Sequence, residues 1–376
     1  MTLTHRHGAS LLSLAALLLA ALPALAATEV VTEANLGVDW YPADTRAGGS
    51  GTFDFGPAVP PLGGGSFHMD TNCTNPPGCS QAKVQMFTDR FGSFLASGDP
   101  NAARGGVGVE LADIDGIGYW SYRESASTNP MTQVAGLNME VDFLGDGASY
   151  TILVYEPYYN AATQGPIQTD VWQEWDAYDG GNAIWWSSRD IPGVCAFNCF
   201  VPWSTVLANN PNARITRFFG FNDGSGWTGV HYGAADGLTL SVAGEGSTTF
   251  DFDKTVPVRI DLRPGSDDNQ VNTRSRMLVP NAILGAADFD ATQVDPLTVV
   301  ARGAQPVATK TEIGDVDGDG YPDLTLYFRA GDFDPKPTPA ECDDPDATLE
   351  LTGSTLGGVP FAGSDSVRWI GPDCKG

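Results

Sequence analysis

The segment Asp315-Val316-Asp317-Gly318-Asp319-Gly320-Tyr321-Pro322-Asp323 sets four aspartates at near-alternating positions around a glycine turn. Asp315, Asp317 and Asp319 offer hard oxygen ligands, and Gly320 permits the sharp turn. The Tyr321 carbonyl and the Asp323 carboxylate can close the shell, which is the donor set calcium prefers. Three aspartates within five residues repel one another unless a cation sits between them, so calcium is expected in preference to a metal-free acidic turn. A second candidate for chemistry is Trp172-Gln173-Glu174-Trp175-Asp176-Ala177-Tyr178-Asp179. On a strand, Glu174 and Asp176 share one face about 7 Å apart, a separation suited to an acid and a nucleophile flanking a glycosidic bond. Alternation past Asp176 sends Asp179 to the opposite face unless a bulge intervenes. The competing reading makes Trp172 and Trp175 packing residues and leaves the carboxylates in solvent.

The first six positions of the acidic loop fit the EF-hand pattern, but the twelfth, where that loop needs a bidentate Glu, is Leu326. Residues Leu324 to Phe328 alternate and are rich in β-formers, so the loop is expected to lead into a strand rather than a helix. As a whole it resembles the DxDxDGxxD calcium loops of integrin-type and other extracellular β-proteins, with Asp323 as the closing carboxylate. Only one copy is present, so the resemblance does not imply a propeller. Such a loop stiffens a hairpin by binding the folded form alone. The Trp172–Asp179 stretch is similar to the ExDxxE signature of β-jelly-roll glycoside hydrolases. It departs from that signature at Asp179, where the family has Glu, and this shortens the reach of the group that would donate the proton.

Other catalytic sets are scarce. No GxSxG sequence offers a nucleophile elbow, and only His68 and His231 follow the amino-terminal segment. Both are read as ordinary surface or hydrogen-bonded histidines. Tryptophan is more informative, because eight of the nine lie before residue 230. Sugar recognition asks for exposed aromatic planes beside Asn, Asp, Gln or Arg. Trp186 and Trp227, with loop-like flanks, are the candidate ligand-stacking residues, while any single tryptophan is more often core.

The elements that must position these residues follow from composition and patterning. His5-Arg6-His7, the apolar run Leu11 to Leu22 and Pro23-Ala24-Leu25-Ala26 read as a bacterial-looking secretory signal peptide, residues 1–26, cut after Ala26. The rest offers no unbroken apolar run of roughly 18 residues, so no membrane span is expected and the protein is expected to be secreted, in an extracellular setting. A formal charge of −26 argues against nucleic acid and anionic membranes as partners, and the tryptophans make polysaccharide or cell-surface glycan the expected partner. Charged residues are only 18% and aromatics 10%, so the acidity belongs to a folded protein rather than a disordered tail. The six cysteines suggest local disulfides Cys73–Cys79, Cys195–Cys199 and Cys342–Cys374, whereas zinc is disfavoured by the spacing. Asp251 and Asp253 are further acidic positions able to hold an ion.

An all-β fold is expected in two domains. Residues 27–253 carry short strands such as Lys83–Phe87, Gly118–Tyr122, Leu137–Phe143, Tyr150–Tyr155 and Leu238–Val242, and point to a jelly-roll, concanavalin-like sandwich. Helical periodicity is nearly absent outside Pro202–Ala208. Residues 254–376 predict six or seven strands in a smaller Ig-like sandwich. In that part, Ile260–Ser266, Val279–Gly285, Asp315–Asp323 and Gly363–Val367 resemble a module of secreted bacterial proteins of unassigned activity, as do Gly181–Ser188 and Phe200–Ser204 earlier in the chain. The resemblance implies a two-domain secreted β-protein and brings no catalytic residues. The expected function is that of a calcium-stabilised, non-enzymatic extracellular protein with a glycan-binding role. The alternatives are a jelly-roll glycoside hydrolase using Glu174, Asp176 and Asp179, and a purely structural cell-surface or matrix module.

Overall fold

The computed structural model describes residues 26–74, 81–92, 108–224, 227–266 and 268–375. Nearly all of the expected signal peptide, and Cys79 with it, falls outside the described residues. The described chain is all-β, built of sandwich-like sheets around two hydrophobic clusters. One cluster runs from Val31 to Phe252 and the other from Ile260 to Trp369.

In the N-terminal unit, Gly246–Phe252 alternates apolar and polar residues, so Phe250 and Phe252 enter the core while Thr249 and Asp251 turn to the other face of the sheet. This strand runs antiparallel to Gly233–Val242, and Ala27–Val31 lies parallel to it on the outer side. Beyond Gly233–Val242 comes Ile114–Arg123, then Trp172–Asp176 at the sheet edge. At its other end Gly233–Val242 meets Gly65–Cys73, which carries Gly49–Phe55. A second, wholly antiparallel sheet runs in the order Val201–Pro202, Ile184–Ser187, Tyr150–Tyr155, Gly136–Asp142, Arg214–Gly224, Lys83–Thr88, Trp40–Ala43. Aromatic residues fill the space between the sheets: the Phe252 ring lies 4.7 Å from Trp40 and 5.0 Å from Phe221. Each such ring removed from water contributes roughly 1.5–3 kcal/mol.

The expected helical turn is present as Trp203–Asn209. A second helix, Pro157–Gln164, was not expected. It has no apolar stripe to reveal it. Proline starts it, Gly165 with φ of +91° ends it, and Asn160 clamps it to the neighbouring strand by exchanging hydrogen bonds with the Ile184 backbone at 2.7 and 3.1 Å.

The C-terminal unit has ten strands among the described residues, rather than six or seven. They form two four-stranded sheets and one pair, around Leu262, Leu326, Phe328, Leu351 and Trp369. Two of the additional strands, Val256–Pro257 and Gln270–Asn272, span only two or three residues. The longest unexpected strand, Pro306–Gly314, is largely exposed, so it has no buried face to impose apolar alternation. Disulfides Cys195–Cys199 and Cys342–Cys374 form as expected from spacing. Cys73 is buried, and the expected Cys73–Cys79 pair lies outside the described residues with Cys79.

Candidate functional site

The acidic loop is the tip of a hairpin between Pro306–Gly314 and Asp323–Arg329, so it does lead into a strand. Gly318 and Gly320 take φ of +78° and +93°, conformations that favour glycine. These turns fold the backbone around the carboxylates: Asp315 accepts from the Gly318 and Gly320 amides at 2.8 and 3.1 Å. Buried Asp323 accepts from Val316 at 2.5 Å and from Gly285, just past the neighbouring strand Leu278–Ile283, at 2.7 Å. Asp315, Asp317 and Asp323 each bring one carboxylate oxygen within 4.8 Å of the others, a triad able to hold a metal ion. Asp319 stands outside that triad. Its carboxylate accepts from the Tyr321 amide at 2.9 Å and from Arg259 at 3.3 Å, while Arg259 also reaches Asp317 at 3.1 Å. Tyr321 is exposed at the tip.

Glu174 and Asp176 lie on the outer face of the first sheet, opposite Trp120 and Gly118 respectively. Trp175 between them is fully buried, and its indole N–H donates to Ser121 Oγ at 2.7 Å. Alternation therefore works as expected: one face is core and the other lines an open cleft of about 830 Å³. Glu174, Asp176 and half-buried Trp120 share this cleft with Thr239, Ser241 and Thr249. Gly116 and Gly118 leave its floor without side chains, and Pro61 and Leu62 form a wall. Asp179 does not join them. The strand stops at Asp176, whose Oδ1 accepts from the Tyr178 and Asp179 amides at 3.0 and 2.7 Å, and Asp179 opens a short 3-10 turn with φ of +46°.

Neither candidate tryptophan lines the cleft. Trp186 is half-buried, donates to Glu156 Oε2 at 3.0 Å and packs against Phe197, while buried Trp185 on the opposite face meets Trp203. Burial pushes the Glu156 carboxyl above its usual range, and the indole N–H offsets part of that shift. Trp227 is exposed, in the connection between Arg214–Gly224 and Gly229–His231. The sequence reading missed Trp120 as a cleft residue. The signal was available in Gly118-Tyr119-Trp120-Ser121-Tyr122, where alternation turns Tyr119 inward and Trp120 outward with Gly118.

His231 is fully buried with its Nδ1 2.5 Å from Asp223 Oδ2. Gln133 donates to Asp223 Oδ1 and to Thr71 Oγ1, both at 2.9 Å, and Arg123 donates to the Gln133 and Asn129 carbonyls. Among the described residues the His231 Nε2 has no hydrogen-bond partner, and the pair belongs to an internal polar network. His68, half-buried, has its Nε2 3.2 Å from the Gly56 carbonyl.

Among the described residues, no helix is long and apolar enough to cross a membrane. No protein-family model matches the chain, and no curated protein matches it.

Proposed function

We propose that the protein is a secreted, calcium-stabilised, non-enzymatic β-protein that binds glycan in the cleft of its first sheet. The observation that carries this reading is the cleft itself, where an indole face, two carboxylates and three hydroxyls surround a floor cleared by glycines. Sugar rings stack on aromatic planes and their hydroxyls pair with carboxylates and side-chain hydroxyls. The volume of about 830 Å³ suits a short oligosaccharide segment. In this reading the N-terminal unit is a jelly-roll sandwich and the C-terminal unit an Ig-like one, as in the secreted bacterial β-proteins that the sequence resembles. The two disulfides among the described residues accord with an oxidising compartment. Calcium fits the hairpin-tip triad because three aspartates converge where backbone carbonyls and water can complete a shell of six to eight oxygens.

A hydrolase reading draws on Glu174 and Asp176 facing the same cleft. Against it, Asp176 is occupied in capping the turn that follows, and both carboxylates are exposed rather than enclosed in an apolar pocket.

The test is retention on a panel of immobilised polysaccharides by the wild type and Trp120→Ala. Binding weakened at least about tenfold by the substitution supports the cleft, since stacking on an aromatic ring is worth roughly 0.5–1.5 kcal/mol beyond its buried area. No retention of the wild type on any polysaccharide removes the binding role. Release of reducing ends by the wild type but not by Glu174→Gln would establish the hydrolase instead.

A further inference from the structure

Three aspartates, Asp236 and Asp251 on strands of the first sheet and Asp253 just past its strand end, meet the turn that forms the cleft wall. Asp236, fully buried, accepts from the Gly237 and Phe252 amides at 2.7 and 2.9 Å, and from the Leu62 amide at 3.2 Å. Asp253, also fully buried, accepts from Lys254 at 2.7 Å through Oδ1 and from Gly64 at 3.2 Å through Oδ2. Asp251 differs from both. It is 6% exposed, and its Oδ1 is closed off from solvent without a hydrogen-bond partner. A Cβ placed on Gly63 would stand 2.3 Å from Asp253 Oδ2 and 3.0 Å from Asp251 Oδ1, so both oxygens face the same point beside this glycine.

A buried carboxylate oxygen without a donor is costly, and a second carboxylate beside it adds repulsion. The nearby cation, Lys254, is engaged by Glu33. A hard cation taking the two facing oxygens would pair the orphaned one and remove the repulsion.

We propose that Asp251 Oδ1 and Asp253 Oδ2 hold a second divalent cation of the calcium class against the Leu62–Gly64 turn. Asp236 does not complete a triad as tight as that of the hairpin tip. It acts as a clamp on Leu62, and backbone oxygens and water supply the rest of the shell. The site stands apart from the hairpin tip in sequence and in surroundings, and it holds whether or not the cleft takes glycan. It also steadies the cleft, because the space beside Gly237 is bounded by Leu62 Cδ1 and by Trp120 Cδ1.

The test uses the full-length protein carrying Asp317→Ala, which disables the hairpin tip, stripped with EDTA and then titrated with calcium alone. Equilibrium dialysis should find one ion still bound per chain, and hydrogen exchange of the Leu62 and Gly64 amides should slow by about tenfold or more on calcium addition. Adding Asp251→Asn should abolish both effects. No bound calcium in the Asp317→Ala protein, or bound calcium that leaves those two amides unchanged, would overturn the proposal. The exchange measurement needs no substitution at the site, so it decides even if Asp251→Asn fails to fold.

Discussion

The two units of the chain treat charge in opposite ways. Among the described residues the N-terminal unit buries Arg123, Glu140, Asp142, Arg217, Asp223, His231, Asp236, Asp251 and Asp253, whereas the C-terminal unit buries Asp323 alone. Its other charged groups stay nearer solvent, and some find partners within their own turn, as Asp315 does. The N-terminal unit matches several of its buried groups across distant segments: Glu140 meets Arg217, Asp223 meets Gln133, and Asp236 meets Leu62. A buried group requires a partner positioned by the whole sandwich, while an exposed one can rely on a turn and water.

Breaking a buried pair gives the largest expected effect. Glu140 accepts two hydrogen bonds from Arg217, at 2.8 and 2.7 Å, and is 1% exposed. Glu140→Ala should destabilise the N-terminal unit by about 3–5 kcal/mol while leaving the C-terminal transition in place, as read by urea unfolding. A loss below about 1 kcal/mol would mean that the buried charges are far better solvated than their burial implies.

Next in size is the hairpin tip. Calcium at a hundredfold excess over its dissociation constant should stabilise the C-terminal unit by about 2.7 kcal/mol. Asp315→Asn should remove most of that gain in calorimetric scans with and without EDTA, and an equal gain in both proteins would place the ion elsewhere. A smaller effect lies in the capping box at Pro339–Asp343, where Thr338 accepts from the Glu341 amide and the Glu341 carboxylate accepts from the Thr338 amide. Thr338→Ala should cost about 1 kcal/mol, confined to the C-terminal transition.

The smallest expected difference is one of sign with pH. The Arg302 hydrogen bonds hold Glu341 down at about 2, so its contribution is present above the ordinary carboxylate range and lost as pH falls through about 2. The pair is partly exposed, so solvent screens it and the effect is modest. Glu156 runs the other way. Burial raises it, so its contribution is present at low pH and lost as pH rises through the raised value. Glu341→Gln should therefore flatten the acid limb of the C-terminal unit, and Glu156→Gln should make the N-terminal unit relatively more stable at pH 8 than at pH 4. Melting temperatures of the two variants across pH check both signs.

The same contrast governs what could be read in the sequence. The hairpin tip was legible because its aspartates are neighbours in the chain, and the strand after it because Leu324 to Phe328 alternate. The Trp172–Asp176 strand and its outward carboxylates were legible for the same reason. Trp120 opposite Glu174 was not, since strand register alone brings the two together, and neither were the Asp223–His231 pair, which spans the two sheets, or the aspartates that meet the turn at Gly63. The Pro157–Gln164 helix was hidden because what secures it is Asn160 on the Ile184 backbone, a contact between segments.

The parallel pairing of Ala27–Val31 with Gly246–Phe252 sets an order on synthesis. The first strand of the unit leaves the ribosome early, yet its partner is the last strand of that unit. Until that partner arrives, the backbone amides and carbonyls of Ala27–Val31 lack their ladder, and closing so long a loop is slow. Nascent chains halted before residue 246 should therefore stay protease-sensitive throughout the N-terminal unit, and release past Phe252 should bring protection in a single step.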